Sequence, residues 1–108
     1  MLVWRLFLKK TLKAGCFTYT VYFQPTDADH GATNLDNKII IIDNKRPLET
    51  QKETLLHEIQ HVAYEDCSLF EHPINDAEKQ EESLIRFSNP RLFQILRDNK
   101  WVKEFLFE

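Results

Sequence analysis

Hydrophobic and polar positions change their period once along this chain, close to residue 43. Before that point Leu2, Trp4, Leu6 and Leu8 fall at alternate positions, as do Phe17, Tyr19, Val21 and Phe23, and Ile39 to Ile42 form an unbroken β-branched run. A period of two puts one set of side chains on one face of a pleated strand, so these segments predict strands and together a small antiparallel sheet. The first segment is also compatible with a short helix. Gly15, the polar stretch 24–31 and Asp36-Asn37 supply the turns between strands.

After Pro47, a residue suited to a helix start, Leu55, Ile59 and Val62 recur at spacings of four and three while Glu49, Lys52, Glu53 and Glu65 take the outer positions. A second helix is predicted from about Asp76 to Phe87. A third runs from Pro90 to Asp98, with Asn89 as N-cap and Pro90 at the first helical position. The tail from Trp101 to Phe107 is too apolar to stay in water and is expected to pack on the sheet or on a partner. The fold class that follows is α+β, a small antiparallel sheet packed on the helix around residue 59 and on a second helix behind it.

Length and charge narrow the picture further. At 108 residues the chain has material for one core, so residues 1–108 are expected to form a single domain. With 43% hydrophobic residues and eight Phe, that core needs no disulfide staples. A net charge of -3 gives no basic footprint, which argues against nucleic acid and anionic lipid as partners. Cys16 and Cys67 are far apart and form no metal or redox pair, as in a reducing compartment. The apolar opening run contains Arg5 and precedes Lys9 and Lys10, the reverse of a secretory signal, and is too short to span a bilayer. A cytoplasmic protein without a membrane partner is expected.

The chemistry lies in His57-Glu58-Ile59-Gln60-His61, an HExxH pattern inside the strongest helical segment. Histidines four apart stand one turn above each other on one face, so both imidazoles can reach one ion. Glu58 is rotated by about 100° from His57, near enough to touch a metal-bound water and poorly placed to ligate. Zinc hydrolysis needs this division of labour: an ion that acidifies water and polarises a carbonyl, and a carboxylate that takes the proton. Shuffling this composition produces the pattern about once in a hundred sequences, so the helical setting adds necessary weight. The bland alternative is a surface helix with two unrelated histidines. A third ligand has to come from elsewhere. The extended HExxHxxGxxH form is absent, because Tyr64 and Cys67 stand where Gly and His would be, and His72 comes eleven residues after His61. Glu78, Glu81 and Glu82 on the second helix are the candidates; Glu82 is favoured over Glu81, helical phase does not separate them, and at least two of the three are solvated surface charges. His30, in a polar loop, receives no role.

The run LLHEIQHVAYED, preceded by GATNLDNKIIIID and followed by EESLIRFSNPRLFQILRDN, resembles the small phage- and prophage-encoded metallopeptidases of the ImmA/IrrE type, a minimal gluzincin. The likeness covers about Thr11 to Asn99, and TLKAGCFTYTVYF is similar to the hairpin with which such proteins often begin. The resemblance implies a sheet packed on the active-site helix, zinc held by His57, His61 and Glu82, Glu58 as general base, and hydrolysis of a peptide bond in a specific protein substrate. Larger relatives cleave regulatory proteins such as phage repressors. The alternative is a catalytically silent zinc scaffold that acts by binding a host or phage partner. Two departures from the family pattern stand out: Pro90 falls in a stretch usually kept as one long helix, and the helix-turn-helix segment of some relatives has no counterpart in these residues. In similar proteins an edge strand facing the metal pairs with an extended substrate. Ile39 to Ile42 could form that edge or its neighbour, although four isoleucines read more naturally as a strand buried on both faces.

Overall fold

The two alternating segments before the polar loop pair with each other. Strand β1 (Leu8–Ala14) and strand β2 (Phe17–Gln24) are antiparallel, in register from Leu8 opposite Phe23 to Ala14 opposite Phe17. That register leaves Gly15 and Cys16 as a two-residue loop, and Gly15 at φ 65° supplies the left-handed first position of a type II′ turn. The computed structural model describes residues 8–26, 29–66 and 77–107, the side chains of 66, 77–84 and 87 excepted. Leu2, Trp4, Leu6, Cys67, His72 and Asp76 lie outside the described residues.

Strand β3 (Gly31–Asn34) and strand β4 (Ile39–Asp43) complete a four-stranded sheet of order β1-β2-β4-β3. The α+β class holds, with one correction to the expected antiparallel sheet. β3 and β4 are antiparallel, but β4 runs parallel to β2, with Thr20 opposite Ile39 and Gln24 opposite Asp43. Parallel neighbours need a long crossover. Here the chain leaves β2, lays down β3 at the far edge, and returns as β4 into the slot between them. The isoleucine run suits that interior slot: Ile40 and Ile42 are fully buried, and Ile39 and Ile41 are half-buried on the opposite face. Ile39 to Ile42 is therefore the neighbour of the edge strand. The β3–β4 turn has its left-handed residue at Lys38, φ 58°, one beyond the expected Asp36-Asn37. Lysine is held there by its own ammonium, which donates to Leu35 O at 2.7 Å and lies 4.7 Å from the Phe17 ring centre.

Three helices follow: α1 (Leu48–Asp66), α2 (Ala77–Asp98) and α3 (Lys100–Phe107). One core joins Leu12, Tyr19, Val21 and Phe23 of the hairpin, Ile40 and Ile42 of β4, Leu55, Ile59 and Val62 of α1, Ile95 of α2, and Val102 and Phe105 of α3. Lys52, expected outside, is buried along its stem while its ammonium reaches Glu49 at 3.4 Å. Two predicted helices prove to be one, because α2 passes through Pro90 without a break. The missing N–H deprives the Arg86 carbonyl of its partner, a cost water can offset because Arg86, Asn89 and Pro90 are all exposed.

The apolar tail packs on the sheet as α3. Trp101 Nε1 donates to Thr11 O at 2.8 Å, and the Phe23 ring meets Trp101 and Phe105 edge-on at 6.3 and 5.2 Å. Asn99, just before α3, accepts from Lys13 N–H and donates to Lys13 O, both at 2.8 Å. The β1 edge is thus closed by side chains that imitate a further strand. Among the described residues no hydrogen bond closes the outer edge of β3. No described helix is long and apolar enough to cross a membrane.

Candidate metal centre

The site is built where β3 lies against α1, and the sequence of α1 dictates how. Its buried stripe runs through Gln51, Leu55, Glu58, Ile59 and Val62, so Glu58 turns inward beside Ile59 while His57 and His61 stay at the exposed border. The helix is anchored at its start: Gln51 N–H donates to Pro47 O at 3.0 Å, and Gln51 Nε2 donates to Arg46 O at 2.8 Å. Behind that loop Asp43 accepts the Lys45 N–H at 3.0 Å and the Arg46 Nε at 3.1 Å. Burial pushes the Asp43 carboxyl up. The Lys45 and Thr26 N–H groups, the Arg46 guanidinium and the Lys45 charge outweigh burial and hold it below its ordinary value.

The imidazoles converge. His57 Nε2 and His61 Nε2 are 3.1 Å apart, and the rings meet at 85°. Two nitrogens bound tetrahedrally to one zinc at about 2.0–2.1 Å stand about 3.3–3.4 Å apart, so the pair lies within a small side-chain adjustment of chelating geometry. At that separation one Nε2–H can also donate to the other nitrogen. Glu58, only 6% exposed, places Oε2 3.9 Å from His57 Nε2 and accepts the Thr33 hydroxyl at Oε1, 2.8 Å away. One donor atom from each of His57, Glu58 and His61 lies within 4.8 Å of the others. Two imidazole nitrogens with an adjacent carboxylate are a donor set that fits zinc.

Glu78, Glu81 and Glu82 fall in the first half of α2, which packs against α1, but their side chains lie outside the described residues. A cleft of about 500 Å³ opens beside the histidines, lined by Asp29, His30, Gly31, Thr50, Glu53, Thr54, His57 and Glu58. His30, a loop residue with no motif around it, is thus part of the cleft wall. Thr33 also went unseen, because a lone threonine in a four-residue strand carries no motif; its position two residues after a glycine that faces the helix was the available signal.

An inward carboxylate one residue from a convergent histidine pair, on a helix backed by a mixed sheet, defines an HExxH metallopeptidase site. The chain belongs to the peptidase M78 family, whose IrrE N-terminal-like domain model matches residues 14–93, and it is a metallopeptidase of that zinc-dependent family. No curated protein and no solved structure matches it.

Proposed function

We propose that the chain is a zinc-dependent endopeptidase acting on a specific protein substrate, with His57, His61 and Glu82 as metal ligands and Glu58 as general base. The observation that carries this is the 3.1 Å approach of two imidazole nitrogens directly beside a buried carboxylate. Zinc, when bound there, supplies a Lewis acid for the scissile carbonyl and lowers the pKa of water. Glu58 takes the proton at Oε2 while Oε1 stays on Thr33. Thr33 holds one oxygen of the buried Glu58 carboxylate so that the other faces the histidine pair, the placement a general base needs and a partner-binding scaffold does not. This favours the hydrolytic reading over the silent one.

The outer edge of β3, next to the cleft and unpaired among the described residues, supports binding of the substrate as an added strand, held by main-chain hydrogen bonds. A regulatory protein as substrate, a phage or prophage origin, a cytoplasmic location and a single domain over 1–108 complete the proposal. Glu58→Gln is expected to abolish cleavage of a protein substrate while zinc is retained, and unchanged cleavage by that variant would refute the mechanism. For the third ligand, Glu78→Gln, Glu81→Gln and Glu82→Gln are compared by zinc titration; only Glu82→Gln is expected to weaken binding by a factor of ten or more.

A further inference from the structure

We infer that Thr33 is a positioning residue for the Glu58 carboxylate, and that Gly31 provides the clearance that lets it reach; the inference rests on the reading of Glu58 as base. Strand β3 meets α1 at two rungs. At the first, a Cβ on Gly31 would stand 2.6 Å from Thr54 Cγ2 and 2.8 Å from Ile41 O, so only glycine allows this approach. At the second, Thr33 Oγ1 donates to Glu58 Oε1 at 2.8 Å.

The two rungs match in pitch. Two residues of strand advance about 6.6–6.8 Å, four residues of helix about 6 Å, and both pairs ascend in the same chain direction. Strand and helix therefore stay aligned from Gly31 and Thr54 to Thr33 and Glu58. Thr33 is β-branched and half-buried, so its hydroxyl has few rotamers from which to choose. It assigns the two carboxylate oxygens different tasks. Oε1 is anchored on the strand, and Oε2 remains 3.9 Å from His57 Nε2, on the side of the histidine pair. A glutamate with three free side-chain torsions would otherwise sample many orientations, and misplacement of a reacting group by about 1 Å can cost about a hundredfold in rate.

The experiment uses the full chain with Thr33→Val, which keeps the shape and loses the donor, and Thr33→Ser, which keeps the donor. Zinc-loaded protein is assayed on an internally quenched peptide selected from a mixed pool by the wild type. Thr33→Val is expected to lower kcat tenfold or more with KM and zinc content unchanged, and Thr33→Ser to recover most of that loss. In metal-free protein, Thr33→Val is expected to lower Tm by about 4–8 °C in the native background and by much less when Glu58 is already Met. Wild-type kcat in Thr33→Val, failure of Ser to rescue, or equal Tm shifts in both backgrounds would each overturn the inference. Activity in Glu58→Gln would instead refute the base assignment itself, so the two failures are distinguishable.

Discussion

Glu58 shows at the scale of one residue how function and stability compete. A buried carboxylate with one neutral hydrogen-bond donor is a poor element of a core, and its amide analogue is nearly the same shape. Metal-free Glu58→Gln is therefore expected to melt at or slightly above the wild-type temperature, a gain of up to about 1 kcal/mol, while activity is lost. Asp43 is the opposite case, since its carboxylate is fully engaged. Asn at this position still accepts from the Lys45 and Thr26 amides through one oxygen but turns an N–H₂ toward the Arg46 guanidinium. Asp43→Asn is expected to cost about 1–3 kcal/mol in urea denaturation at neutral pH. The pH dependence follows from the sign of the shift. The folded carboxyl titrates below its ordinary value of 3.8, so its contribution is present above that pH and is lost as pH falls through the folded pKa. The asparagine variant should lack that part of the acid-induced loss.

Among elements, β3 and α2 separate what the sequence can express from what it cannot. The period change near residue 43, the helix after Pro47 and the strands at 17–23 and 39–42 were legible because each is a run of several side chains facing one core. The histidine pair was legible because a spacing of four within a helix is itself a geometry. The parallel β2–β4 pairing was not, since strand order depends on which slot the four isoleucines fill, and no local pattern encodes that. The continuity of α2 was also hidden: local proline chemistry reads as a start, and only the exposure of Arg86 and Pro90 shows why the helix survives. Pro90→Ala is accordingly expected to raise stability by about 1–3 kcal/mol, measured by thermal unfolding, by restoring a helical hydrogen bond. A loss instead would mean that the proline ring itself contributes to the packing of this stretch of α2. Gly31→Ala tests the other element. It is expected to cost about 1–3 kcal/mol, because β3 or Thr54 must move.

Taken whole, the molecule treats its two sheet edges differently. Asn99 and Trp101 close the β1 edge through Lys13 and Thr11, and α3 buries Val102 and Phe105 beneath the sheet. At the β3 edge, beside the cleft, no strand pairs on the outer side among the described residues. The tail is thus a structural part of the catalytic body. Phe105→Ala is expected to cost about 3–5 kcal/mol by denaturant titration, a large share of the stability of a domain this size. That Trp101 to Phe107 would pack inward was visible from its composition; that it would also seal an edge was not, because the sealing groups are one asparagine amide and one indole N–H. Whether His57 and His61 together hold one zinc is read from elemental analysis of the purified protein. One zinc per chain is predicted in the wild type and in Glu58→Gln, and little or none in His57→Ala and His61→Ala. A metal-free wild type after zinc exposure, or full zinc in both histidine variants, would contradict it.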